Sequence, residues 1–218
     1  MVFLQDQTYI SSRSGRLSKM VVFLHGYGAS GQDLLGLSQH WEGVLPSTVF
    51  TAPNAPEPCD IKVSGYQWFG LPDFSPFNMR LGLERAGPVL KEYLGSQMIK
   101  YQLSPQDLAL VGFSQGAILA LEMMFLMPKV GAILGYSGAF FAPNKVLLEK
   151  PQTKIMLVHG TLDTVVPYAA LSQAKTQGDH LGIQIKTYTC NGLDHSINPE
   201  GINIGGEFLK DVFYPLKA

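Results

Sequence analysis

The sequence is short of charge, of cysteine and of long apolar runs. Only 15 % of its 218 residues are charged, and 16 basic against 17 acidic side chains leave a net charge of −1. No basic run is present, so a nucleic-acid partner has no electrostatic support. Hydrophobic residues make up 46 % of the chain, yet no apolar stretch approaches the ~20 residues that a membrane span needs. Stable membrane insertion is therefore not expected. The N-terminus, Met1-Val2-Phe3-Leu4-Gln5-Asp6, lacks a basic segment ahead of a long apolar one, which argues against a secretory signal and for a cytoplasmic protein. Two cysteines, Cys59 and Cys190, can pair once at most, and such sparse use fits a reducing compartment. The five histidines are scattered, and no HExxH or CxxC spacing occurs. Neither a metal nor another cofactor is expected.

What the chain does have is alternation. Apolar runs of strand length lie at Met20–Leu24, Thr48–Ala52, Asp107–Val111, Val130–Tyr136, Lys154–Val158 and Ile183–Cys190, with a short N-terminal strand around Thr8–Ser12. Helical patterns lie between and after them, at Gly31–Trp41, Asn78–Gln97, Gln115–Met127, Tyr168–Gln177 and Pro199–Phe213. Continuous apolar strands separated by helices imply a mostly parallel sheet covered on both faces. No repeat, low-complexity tract or linker divides the sequence, and the length fits one domain over residues 1–218. The longest irregular stretch, Pro53 to Phe77, is rich in proline and aromatic residues, and loops of that length in compact domains are more often functional than idle.

Gly112-Phe113-Ser114-Gln115-Gly116 carries the strongest chemical signal. A G-x-S-x-G turn between a strand and a helix lifts the serine onto a sharp, strained bend. Side chains two residues to either side would strike the neighbouring strand and helix. The context fits, because Asp107–Val111 reads as a buried strand, and Gln115–Met127 is rich in Ala, Leu and Met without proline. The helix start behind the serine directs its positive end toward a developing oxyanion.

Three other strand ends carry groups that complete such a site, since open parallel sheets build sites beyond the carboxyl ends of their strands. His25-Gly26-Tyr27-Gly28 follows the first central strand, Asp163 follows Lys154–Val158, and His195 follows Ile183–Cys190. The chain order Ser114, Asp163, His195 is that of an α/β-hydrolase. In this reading His195 is the base, and Asp163 holds its tautomer. The backbone N–H groups of Gln115 and Tyr27 form the oxyanion hole. Competing residues read as structural. His180 precedes its strand and so sits at the wrong edge, and Asp194 adjoins His195 too closely to face its ring. His25 and His159 each precede a glycine at a strand end, His40 reads as a helix-surface residue, and Cys190 as a small core residue.

At these residues the chain resembles the bacterial phospholipase/carboxylesterase group related to the acyl-protein thioesterases. The matching pieces are Phe23-Leu24-His25-Gly26-Tyr27-Gly28, Pro53-Asn54-Ala55-Pro56, Gln67-Trp68-Phe69, the Ser114 turn, His159-Gly160 through Asp163 to Val166-Pro167, and the His195 loop. The resemblance runs from about Val21 to Phe213. It implies a small α/β-hydrolase without a cap domain, acting on carboxylic esters, with thioesterase or lysophospholipase activity as the alternative and no cofactor. Three positions depart from the pattern. Gly70 stands where members often have an acid, Ala29-Ser30 where they often have Asp, and Ala117 where a second glycine commonly follows the turn.

The substrate is read as a small-molecule ester or acyl group. Trp68, Phe69 and Leu71, within the Pro53–Phe77 loop, are expected to wall an apolar acyl groove, with Trp68 also indicated by the resemblance. Such a groove could equally serve as a homodimer surface. A non-catalytic hydrolase-fold binding module is the remaining alternative, and it commonly lacks one of the three residues that this chain keeps.

Overall fold

In the computed structural model, residues 4–10, 15–143 and 150–215 are described. Strand β1 (Asp6–Ile10) is followed by β2 (Lys19–Leu24), the short helices α1 (Gly31–Leu35) and α2 (Ser38–Trp41), and β3 (Thr48–Pro53). A two-stranded ribbon, β4 (Glu57–Pro58) and β5 (Tyr66–Gln67), interrupts the long loop before α3 (Pro76–Tyr101). Then come β6 (Leu108–Phe113), α4 (Gln115–Leu126), β7 (Ala132–Tyr136), β8 (Lys154–Gly160), α5 (Ala169–His180), β9 (Ile185–Cys190) and α6 (Pro199–Phe213). The main sheet has the order β1-β3-β2-β6-β7-β8-β9. Every pairing is parallel except β1 with β3.

The expected elements are present with local differences. The N-terminal strand begins at Asp6 rather than Thr8, and Ser11 and Ser12 lie outside the described residues. The single helix expected over Gly31–Trp41 is two short ones, broken at Gly36-Leu37, where glycine weakens helix continuity. Helix α3 starts at Pro76, capped by the Ser75 side chain accepting from the Asn78 N–H, so proline occupies a first-turn position that needs no donor. Gln102, which caps its C-terminal end, adopts a left-handed conformation. Strand β8 runs on through His159 and Gly160, two residues past the expected end.

Alternation along the strands sorts the core into two layers. Met20, Val22, Leu24, Leu108 and Leu110 face α3, α4 and α5. Val21, Phe23, Ala109 and Val111 face α1, α2 and α6. Helix α4 is buried on nearly all sides, so its one acid, Glu122, is paired with Arg80 of α3 at 2.5 Å. Arg80 also donates to the Phe141 carbonyl, tying the segment after β7 to α3. On the other face the Trp41 indole N–H donates to the Ile202 carbonyl at 2.9 Å, joining α2 to α6. Among the described residues no helix is long and apolar enough to cross a membrane.

Candidate active site

Ser114 sits between β6 and α4 with φ 52° and ψ −118°, a region that costs a non-glycine residue on the order of 1–3 kcal/mol. Close packing holds it there. A Cβ on Gly112 would lie 2.4 Å from the Ala117 nitrogen, and one on Gly116 would lie 1.9 Å from the Leu24 carbonyl oxygen. No side chain fits at either position. The Ser114 N–H is fixed by the Tyr136 carbonyl of β7 at 2.9 Å. Ala117, which departs from the usual glycine, is accommodated by Gly135 and Gly138. A Cβ added to either would come within 3.3 Å and 2.7 Å of the Ala117 methyl.

The loop after β2 lies against this turn because β2 pairs with β6 through Leu24 and Gly112. A Cβ on Gly26 would stand 3.4 Å from the Ser114 Cβ, so the loop backbone passes directly beside the serine. The N–H of Gln115, first residue of α4, has no intrahelical partner, and no acceptor is recorded for the Tyr27 N–H among the described residues. The Tyr27 hydroxyl pairs with Asp60, and burial with this contact raises the phenol above its ordinary value.

His25 is structural, as the sequence suggested. Its Nδ1–H donates to the Gly26 carbonyl at 2.8 Å and its Nε2 accepts from the Ala55 N–H at 2.9 Å. The ring is fully buried, and burial lowers its pKa from the ordinary 6.5. Protonation would break the Ala55 bond. The His25 carbonyl in turn accepts the Trp68 indole N–H at 3.0 Å. The Gln115 side chain bridges the same stretch, accepting from the Trp68 N–H and donating to the Phe69 carbonyl at 2.7 Å.

Trp68 and Phe69 consequently do not wall an open groove as expected. They are 1 % and 3 % exposed, and the Phe69 ring lies where a Gly82 side chain would be. Their burial follows from the indole and amide bonds that draw this stretch under the loop after β2. Leu71 is partly buried against the same core. Among the exposed large apolar side chains are Ile61, Val63 and Phe74 in this loop, Phe77 and Leu81 in the first turns of α3, and Leu162, Val165 and Tyr168 around Asp163.

Asp163 and His195 are brought together. His195 Nδ1 lies 2.8 Å from Asp163 Oδ2, and the His195 ring packs 4.9 Å from the Phe113 ring, centroid to centroid, beside Ser114. The Asp163 side chain is completely buried. Its Oδ1 accepts the N–H groups of Val165 and Val166 at 3.0 and 2.9 Å. Burial pushes the carboxyl up, but these bonds, led by the one from His195, hold it below its ordinary 3.8. Gly160 lets the histidine loop approach, since a Cβ there would stand 2.2 Å from the Leu193 carbonyl.

The competing residues fall elsewhere. Asp194 is exposed and accepts from the Ser196 hydroxyl at 2.5 Å. His180 and His40 are exposed. Cys190 is fully buried, and its thiol donates to Asn198, the cap of α6. His159 is buried at the end of β8, and its ring N–H donates to the Val166 carbonyl at 2.9 Å. Its Nε2 lies 3.2 Å from Asp163 Oδ2. Among the described residues no group of three or more His, Cys, Asp or Glu side chains is placed to hold a metal.

This sheet and the site at its carboxyl edge define an α/β-hydrolase. The chain belongs to the Phospholipase/Carboxylesterase family, whose sequence profile matches residues 5–213, and is accordingly a carboxylic ester hydrolase. It is 30 % identical over 209 residues to acyl-protein thioesterase 1 of Saccharomyces cerevisiae, covering 87 % of this chain and 91 % of that one. It is similar to the solved structure of esterase PE8, with 36 % identity, a TM-score of 0.88, and coverage of 97 % of this chain and all of that one. Esterase YpfH of Escherichia coli K12 is 20 % identical over 206 residues, covering 94 % of this chain and 88 % of that one.

Proposed function

We propose that the protein hydrolyses esters through an acyl-enzyme on Ser114, with His195 as base and Asp163 as the acid that orients it. The observation that carries this reading is the 2.8 Å bond between His195 Nδ1 and Asp163 Oδ2 beside the strained serine. A carboxylate only accepts, so Nδ1 holds the ring proton and Nε2 keeps its lone pair for the Ser114 hydroxyl. His195 takes that proton as the serine oxygen attacks the ester carbonyl. The Gln115 and Tyr27 N–H groups hold the resulting oxyanion, each worth about 3–4 kcal/mol in such a position. His195 then protonates the departing alkoxide, and water repeats the sequence to release the acid.

The acyl chain binds against the exposed apolar side chains at the start of α3 and around Asp163. Trp68 and Phe69 act from behind, holding the Tyr27 loop. A second reading keeps the site and changes the leaving group to a thiolate from an acylated protein. Its support is the likeness to the Saccharomyces thioesterase over most of both chains.

Matched oxygen-ester and thioester substrates of graded acyl length test both readings, run on wild type and Ser114→Ala. The variant should lose at least about 10⁴-fold in kcat and all labelling by a fluorophosphonate. Undiminished turnover in Ser114→Ala would remove the serine mechanism. The ratio of kcat/KM between matched esters and thioesters decides the leaving group.

A further inference from the structure

We infer that His25 is a positioning residue for the oxyanion hole: its imidazole holds the peptide plane between Gly26 and Tyr27, and so aims the Tyr27 N–H. The inference rests on the assignment of Ser114 and of the Tyr27 donor above and adds a residue to it.

The Tyr27 N–H and the Gly26 carbonyl belong to one peptide group. That group is planar and trans, so its N–H and its C=O point in opposite directions, and whatever fixes the carbonyl fixes the donor. Two groups hold the Gly26 oxygen: the His25 Nδ1–H at 2.8 Å and the Ala29 N–H at 3.2 Å. The residue before the donor makes such an anchor necessary. Position 26 suits glycine, since a Cβ there would stand 3.1 Å from the Phe113 ring and 3.4 Å from the Ser114 Cβ. Glycine also leaves the backbone freer to turn than any other residue. The side chain of the preceding residue takes up that freedom.

The imidazole can do this because it is itself fixed. Its Nε2 accepts the Ala55 N–H, just beyond β3, at 2.9 Å, so Nδ1 carries the ring proton and donates. The ring is fully buried and packs against Trp68, with 5.5 Å between centroids. The Trp68 indole N–H in turn holds the His25 carbonyl at 3.0 Å. On the other side of Tyr27, the Gly28 N–H donates to the Tyr66 carbonyl at 2.9 Å. The loop is thus pinned before and after the donor. The pin after it is a backbone pairing, and the pin before it is supplied in part by a side chain, which substitution can remove.

The test compares three variants. His25→Asn places its amide N–H about where Nδ1 stands and keeps the Gly26 bond. His25→Gln reaches about as far as Nε2, which keeps an acceptor for Ala55 and loses the Gly26 bond, and His25→Leu loses both. Active sites are counted by exhaustive labelling with a fluorophosphonate, so that unfolded protein does not enter kcat, and His25→Gln stands in should His25→Leu fail to fold. In His25→Gln and His25→Leu, kcat should fall about 10- to 100-fold, because small misplacements of catalytic groups cost that much, with KM little changed. The affinity for a trifluoromethyl ketone, whose adduct with the serine carries the oxyanion, should fall by a similar factor. His25→Asn should recover most of both losses. A His25→Asn variant no better than His25→Gln, or a loss of kcat without loss of ketone affinity, would overturn the inference. Ser114→Ala separates the two ideas: if it stays active, the serine reading itself fails, whereas an inactive Ser114→Ala beside an unaltered His25→Gln refutes only this proposal.

Discussion

The two halves of the catalytic edge are held in place by different physics. On the nucleophile side, position comes from contact. The Ser114 turn, the loop after β2 and the start of α4 approach so closely that a single added carbon at Gly116 would overlap the Leu24 carbonyl. Close approach also brings α1 against β3, where a Cβ on Gly31 would stand 2.2 Å from the Ala52 oxygen. On the acid–base side, position comes from hydrogen bonds that converge on one carboxylate. The first arrangement is sensitive above all to added volume. The second depends on which atoms carry protons.

That contrast breaks most visibly at Asp163. Asp163→Asn keeps the shape but can turn an amide N–H toward His195. The ring must then accept at Nδ1 and carry its proton on Nε2, where it can no longer take one from Ser114. A loss in kcat of about 10⁴-fold is expected from this tautomer reversal, with the folded state retained by circular dichroism. A variant that kept a tenth of wild-type activity would deny Asp163 its role.

Gly116→Ala should do the reverse. The added methyl meets backbone, which cannot swing aside, so about 4 kcal/mol of stability is expected to go, read as a shift in the urea midpoint. Activity should fall in the fraction that remains folded, because the Ser114 turn and the Tyr27 loop must part. A midpoint within experimental error of wild type would show that contact there is looser than the geometry requires.

The smallest effect is in pH. His25 has a folded-state pKa below its ordinary 6.5 because burial disfavours the charged ring. Below about pH 6.5 the unfolded chain takes a proton that the folded chain refuses, so stability falls as pH drops from there toward the folded value and is flat above it. Asp163 is also depressed, below 3.8, but its contribution is complete above that value and is lost only as pH falls through the folded pKa. The two windows open at different pH, near 6.5 for His25 and near 3.8 for Asp163. Replacing His25 by Asn should flatten the urea midpoint between about pH 6.5 and 5 relative to wild type, and an unchanged slope there would place the proton uptake elsewhere.

Much of this edge was readable in the residues. The requirement for glycine at 112 and 116 follows from the bend alone, and the order of Ser114, Asp163 and His195 along alternating strands and helices implied one shared edge. His25 could be read as structural because a histidine before glycine at the end of an apolar strand has backbone partners near at hand. The β4–β5 ribbon was not readable, because its strands are two residues long and pair across a loop. Nor was the burial of Trp68 and Phe69. An aromatic pair in a proline-rich loop carries no periodicity to say which way it turns, and the deciding partners are the His25 carbonyl and the Gln115 side chain, far away in sequence.

By itself, then, the sequence determined the alternation of strands and helices, the strained serine and the types of residue available at the strand ends, because these depend on local sterics and short periodicities. The order of strands across the sheet, the burial of Trp68 and Phe69, and the 2.8 Å approach of His195 to Asp163 were decided only in the tertiary structure. They depend on which loops the folded sheet brings within hydrogen-bonding distance, and no local pattern encodes that distance.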